Sequence, residues 1–181
     1  KANIEESIHI KEILAEKGNQ VAALDLAKMY LEGDGVPVDK KKSLQYFKRS
    51  AELGNVEAEN AVGQLLHEEN ANPQQALNNF ENAAKKEDSN ALHNLGIMYR
   101  ENKGIPVDLK KSYQYFEKAA KLGNVESMYN LGVINEVGDG VPVNYEKALI
   151  FYKMAAKGNH PTAMNNIGKM YLDGKGVPVN Y

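Results

Sequence analysis

The chain has 181 residues and a mass of 20.0 kDa, with 43% hydrophobic and 25% charged residues, a composition that excludes collagen-like and disordered classes. Its 22 Lys and Arg against 24 Asp and Glu leave a formal net charge of −2, so there is no global basic surface to draw nucleic acid or an anionic membrane. The lack of cysteine removes disulfides, thiolate metal sites and cysteine nucleophiles, and no apolar run approaches the roughly 18 residues of a membrane span.

A period runs through the sequence. Gly96, Gly132 and Gly168 recur every 36 residues, while Gly63 precedes Gly96 by only 33 because the second copy lacks the Gly-x-Gly-Val-Pro loop of the others. Gly-Asn pairs at 18–19, 54–55, 123–124 and, one residue early, 158–159 mark the joints. In chain order, residues 1–17 match the second helix of a preceding repeat. Repeat 1 covers 18–53, repeat 2 with its short loop 54–86, repeat 3 87–122 and repeat 4 123–158. Residues 159–181 hold the first helix and loop of repeat 5, and the whole reads as one solenoid domain, a piece of a longer array.

Each unit reads as two helices. Helix A is expected over Ala22–Leu31, Ala58–Glu69, Ala91–Glu101, Ser127–Val137 and Ala163–Asp173. Helix B is expected over Lys41–Leu53, Gln74–Lys86, Lys110–Leu122 and Glu146–Lys157. Between them, runs such as Gly33-Asp34-Gly35-Val36-Pro37 and Asn102-Lys103-Gly104-Ile105-Pro106 let Gly or Asn close one helix in the left-handed region and let proline forbid its continuation. Asp39, Asp108 and Asn144 are placed to cap the next helix. The second copy has Glu69-Asn70-Ala71-Asn72-Pro73 there, which predicts a tight turn.

The stripe Ala91/Leu95/Met98/Tyr99 and its counterparts mark the core face of helix A. A glycine inside a helix costs about 1 kcal/mol relative to Ala, so its recurrence predicts close approach of a neighbouring helix. The pairs Tyr46-Phe47, Tyr115-Phe116 and Phe151-Tyr152 on helix B are followed by small residues, so rings of one hairpin are expected to fill space beside small residues of the next. Tyr113, Tyr115 and Tyr152 are expected in the core. The last helix A is expected to expose Ile167, Met170 and Tyr171 and to be covered by further chain, neighbouring molecules or self-association.

The run Ala-Leu-His-Asn-Leu-Gly-Ile-Met-Tyr (91–99), followed by Gly-Ile-Pro-Val-Asp-Leu-Lys-Lys-Ser-Tyr-Gln-Tyr-Phe-Glu-Lys-Ala-Ala-Lys-Leu-Gly-Asn (104–124), resembles the Sel-1-like repeat, a relative of the tetratricopeptide repeat. The resemblance extends over essentially the whole chain. It implies an all-α fold, a right-handed α-α superhelix of antiparallel helix pairs whose A helices line a concave surface. It also implies a scaffold or adaptor role that joins proteins.

Catalytic and ligand motifs fit poorly. The Gly-x-Gly runs follow helices rather than strands and read as helix stops, not phosphate cradles. His9, His67, His93 and His160 lack metal-ligand spacing, and Glu5-Glu6 and Glu68-Glu69 read as solvated helix faces. Cysteine-rich members of the family have been linked to β-lactam binding or hydrolysis, but this chain lacks their paired cysteines and any Ser-x-x-Lys. The expectation is a non-enzymatic chain with no metal or cofactor.

The candidate surface lies on helix A opposite its core stripe. Its residues are Asn60 and Gln64, then His93, Asn94, Ile97 and Arg100, then Tyr129, Asn130 and Val133, then Asn165, Asn166 and Lys169. Asn94, Asn130 and Asn166 recur in register and offer amide donors and a carbonyl acceptor, to a partner or to the adjacent repeat's helix. By the resemblance to tetratricopeptide proteins, such an Asn grips peptide backbone or a terminal carboxylate, with Arg100 and Lys169 as the basic neighbours. Tyr129 and Ile97 are expected either to anchor a partner or to pack at the edge of the core. The expected partner is a protein or peptide, with no nucleic acid and no membrane insertion. The alternative is a structural solenoid that self-associates through terminal repeat faces. Compartment is left open.

Overall fold

A computed structural model describes residues 2–70 and 72–177; Pro178, in the last expected loop, lies outside them. The described residues form ten helices and no strand, so the fold is all-α. They are α1 Ala2–Glu16, α2 Gln20–Glu32, α3 Lys40–Glu52, α4 Val56–Glu68, α5 Pro73–Lys85, α6 Ser89–Arg100, α7 Leu109–Lys121, α8 Val125–Val137, α9 Tyr145–Lys157 and α10 Pro161–Leu172. Even-numbered helices are the A helices and odd-numbered ones the B helices.

The A helices begin two residues earlier than the apolar stripe predicts, because at the starts of α2, α4, α8 and α10 a polar residue of the joint is itself the N-cap. Asn19 Oδ1 accepts from Val21 N–H and Ala22 N–H at 3.0 Å, Asn55 Oδ1 from Ala58 N–H at 2.9 Å, and Asn124 Oδ1 from Ser127 N–H at 2.8 Å. The residue before each cap must turn left-handed, which glycine does without a Cβ penalty, as at Gly123 with φ 89°. The slipped joint at 158–159 follows the same geometry. There Asn159 takes the left-handed place with φ 63°, and His160 becomes the cap. Asp39, Asp108 and Asn144 cap α3, α7 and α9 as expected, each accepting from the backbone N–H three residues on at 2.9 Å. In the third loop Gly104, not Asn102, is left-handed. In the second loop Asn70 is left-handed at φ 48° and Asn72 caps α5, while Ala71, within the expected tight turn, lies outside the described residues.

The helices group into two compact units, α1–α5 and α6–α10. In the first, Ala15 of α1 packs with Ala22, Ala23, Leu26 and Tyr30 of α2. Arg49 on α3 donates to Ala15 O and Glu16 O at 2.8 Å each, closing the C-terminus of α1. In the second, Phe116 and Ala120 of α7 pack with Leu131 and Ile134 of α8, and α9 residues Ala148, Leu149, Tyr152 and Ala155 pack with Ala163 and Met170 of α10. These clusters each join the B helix of one hairpin to the A helix of the next, so these hairpins share core with their neighbours.

The recurring helix-A glycine has its predicted cause at three places. A Cβ at Gly63, Gly96 or Gly132 would lie 2.6, 2.6 or 2.5 Å from the ring of Phe80, Phe116 or Tyr152, all fully buried. The nearest ring belongs to the same hairpin, however, and not to the next as the sequence pattern suggests. Beside the Gly96 contact a buried serine ties the hairpin together, Ser112 Oγ donating to Gly96 O at 2.7 Å, and in the first hairpin Ser43 Oγ donates likewise to Ala27 O at 2.8 Å. Gly168 meets nothing within 4 Å. Met170 is only 1% exposed, against expectation, because the α9 cluster covers it; Ile167 is half-buried, and Tyr171 is exposed as predicted.

Candidate functional site

The helix-A surface is clearest within the second unit, where α6, α8 and α10 lie in sequence. Direct polar contacts join neighbouring rows. Asn124 Nδ2 donates to Asn90 Oδ1 at 3.0 Å, His93 Nδ1 lies 2.8 Å from Ser127 Oγ, and His160 Nε2 lies 3.4 Å from Glu126 Oε2. Each link runs from the first turns of one A helix to the cap or first turn of the next. Sequence reasoning found His93 but missed Ser127, its partner, and His160, which meets Glu126. The signal that would have found them is the cap position itself, since a residue there sits within reach of the preceding row.

His93 is half-buried, with its ring 5.5 Å from that of Phe116. Burial pulls its pKa below the usual imidazole value, and the Glu126 carboxylate opposes that shift. Tyr129 stacks on His160 at 4.3 Å between ring centroids and 15° between planes, and lies 5.9 Å from Tyr152. It therefore packs at the edge of the core, as do the half-buried Ile97 and Val133. The Tyr152 hydroxyl donates to Glu136 Oε2 at 2.6 Å; burial and that carboxylate raise its pKa, while a hydrogen bond from Asn166 opposes them. Tyr152 is core as expected, whereas Tyr113 and Tyr115 are half-buried, Tyr115 stacking on Tyr99 at 5.6 Å.

The asparagines do three different things. Asn130 Nδ2 donates back to Glu126 O of its own helix at 3.0 Å, Asn166 reaches Tyr152 on the adjacent helix, and Asn165 is exposed. Asn94 is half-buried. Arg100 Nε donates to Asp139 Oδ2 at 2.8 Å, so its guanidinium is engaged by the loop after α8, while Lys169 is exposed on α10. In the first unit Asn60 is buried and Gln64 is exposed on α4, and Lys28 of α2 pairs with Glu57 of α4 at 2.6 Å. Asp25 of α2 pairs with Lys11 of α1. Among the described residues no group of three or more His, Asp or Glu side chains is placed to hold a metal, and no helix is long and apolar enough to cross a membrane.

The Sel1 repeat family matches the chain at residues 20–55, 56–88, 89–124, 125–160 and 161–181. The first four segments end on Asn55, Asp88, Asn124 and His160, the residues that immediately precede an A helix. Among curated proteins, chitin synthase regulatory factor 4 of Schizosaccharomyces pombe is 34% identical over 85 residues, which is 46% of this chain and only 13% of that protein's length. A protective antigen of uropathogenic Escherichia coli with an SLR fold is similar with a TM-score of 0.86 at 28% identity, over 94% of this chain and 37% of that one. A Sel1 repeat protein from Oxalobacter formigenes is similar in fold, with a TM-score of 0.80 at 22% identity over 94% of this chain and 77% of that one. Five matches in register, each opening on an A helix, make this chain a member of the Sel1 repeat family, whose members typically serve as protein-interaction scaffolds.

Proposed function

We propose that the chain is a non-enzymatic scaffold that binds a peptide or partner protein through the face of its A helices. The observation that carries this reading is the mixed character of that face in the second unit. The A helices there carry exposed Asn165 and Lys169 on α10 and half-buried Ile97, Tyr129 and Val133 on α6 and α8, the mixture of polar and apolar side chains that protein interfaces use. The titratable side chains there serve structure: Glu126 faces the His160 cap, and Glu136 accepts from Tyr152. A carboxylate clamp through Arg100 is disfavoured because Asp139 already occupies its guanidinium.

The test compares proteins retained by the intact chain with those retained by an Asn165→Ala/Lys169→Ala double variant of equal thermal stability. Both side chains are exposed, so folding is expected to be unaffected. Retention of specific partners is expected to fall by about fivefold or more, the effect of losing an interface hot spot. Unchanged retention contradicts the assignment of the face.

A second reading, self-association, is favoured by apolar side chains at two separate places. Ile10 is 51% and Leu14 40% exposed along α1, beside a depression of about 510 Å³ that they line with Val21 of α2. Leu172 of α10 is 89% exposed. Sedimentation decides: a mass that rises with concentration supports this reading, and a monomer at every concentration ends it.

A further inference from the structure

We infer that His160 makes the seating of α10, and with it the Tyr129 edge of the A-helix face, dependent on protonation. The inference goes beyond the scaffold reading and requires no partner.

Helices α2, α4 and α8 begin on an asparagine, whose amide oxygen accepts from the backbone at any ordinary pH. At α10 the joint has slipped by one residue, and His160 Nδ1 is the acceptor, 3.1 Å from Ala163 N. A ring nitrogen accepts only while it carries no proton, so this cap requires the neutral ring with its hydrogen on Nε2. That hydrogen faces Glu126 Oε2 at 3.4 Å, and the ring lies flat on Tyr129. A second proton places a hydrogen on Nδ1 against Ala163 N–H, and a positive charge at a helix N-terminus, where the dipole opposes it. The same charge is drawn to Glu126 on α8. The neutral ring therefore holds the cap, and the charged ring leaves it for the carboxylate, disturbing the stack on Tyr129.

The other groups around this switch are few. From α8 the ring meets Glu126 and the Tyr129 phenol. From α9, Tyr152 lies behind Tyr129 with its hydroxyl committed to Glu136. From α6, His93 shares Glu126 as its nearby counter-charge.

Amide hydrogen exchange, corrected for intrinsic rates at about pH 7.5 and about pH 5, tests the inference on the chain and on His160→Asn. Protection of the Ala163 amide is expected to fall about fivefold or more at the lower pH, the effect of losing an N-cap. Ala58, capped by Asn55 at 2.9 Å, is expected to change less, and His160→Asn is expected to hold Ala163 equally at both values. Equal change at Ala163 and Ala58 in the native chain, or persistence of the Ala163 loss in His160→Asn, overturns the inference. Ring nitrogen shifts give a reading independent of the variant: at the higher pH the neutral ring is expected to carry its proton on Nε2, and a proton on Nδ1 overturns the inference.

Discussion

Gly132 and Gly168 hold the same place in their repeats and sit in opposite surroundings. A methyl group at Gly132 meets the fully buried Tyr152 ring at 2.5 Å, whereas one at Gly168 meets nothing within 4 Å. Gly132→Ala is therefore expected to destabilise the chain by about 1–3 kcal/mol through overpacking. Gly168→Ala is expected to stabilise it by up to about 1 kcal/mol through helix propensity alone. Chemical denaturation of both variants checks the pair, and equal effects contradict the close-approach account. His93 supplies a second residue-scale prediction. Its proton affinity is lower in the folded chain than in the unfolded one, so its stabilising contribution is complete above about pH 6.5 and shrinks as pH falls through that value toward the folded pKa. His93→Gln is expected to flatten this part of the stability profile, measured by denaturation across pH. At this scale the sequence told the recurring glycines and the caps Asp39, Asp108 and Asn144 plainly, because each is a local rule. The fates of Asn166 and Arg100 were not legible, since their partners Tyr152 and Asp139 are set by tertiary placement; Asn130 instead bonds back to Glu126 O of its own helix.

Element identity was legible and element ends were less so. Apolar spacing located the helices, but the A helices start two residues ahead of the first stripe residue because the cap, not the stripe, sets where a helix begins. The slipped joint at Gly158-Asn159 looked like a displaced boundary; it is the same joint with Asn159 in glycine's role and His160 in asparagine's. One element is held by an unusual clasp. Arg49 on α3 donates to the last carbonyls of α1, a cation at a helix C-terminus where the dipole favours it. Arg49→Ala is expected to cost about 1 kcal/mol, the scale of a single partly solvated hydrogen-bonding group. The loss is expected to appear as reduced amide protection in α1 with little change in α4 and α5. A uniform loss across the first unit contradicts the local role.

For the molecule as a whole, the repeat period was legible because each copy must present the same face to its neighbours. The clusters joining α1 to α2, α7 to α8 and α9 to α10 show the consequence, since these cores lie between hairpins. The burial of Met170 was not legible, as it depends on how closely α9 lies against α10 and not on pattern. Such an arrangement spends its apolar surface on stacking and leaves the outward turn of each A helix to polar and half-buried side chains. The central claim is that this face, and not the B-helix side, receives the partner. The direct measurement is site-specific photo-crosslinking from Asn165 on α10 and from Gln114 on α7, both exposed, in the intact chain with its cellular partners. The account predicts a discrete covalent partner from position 165 and none from position 114; capture from 114 alone, or equal capture from both, contradicts it.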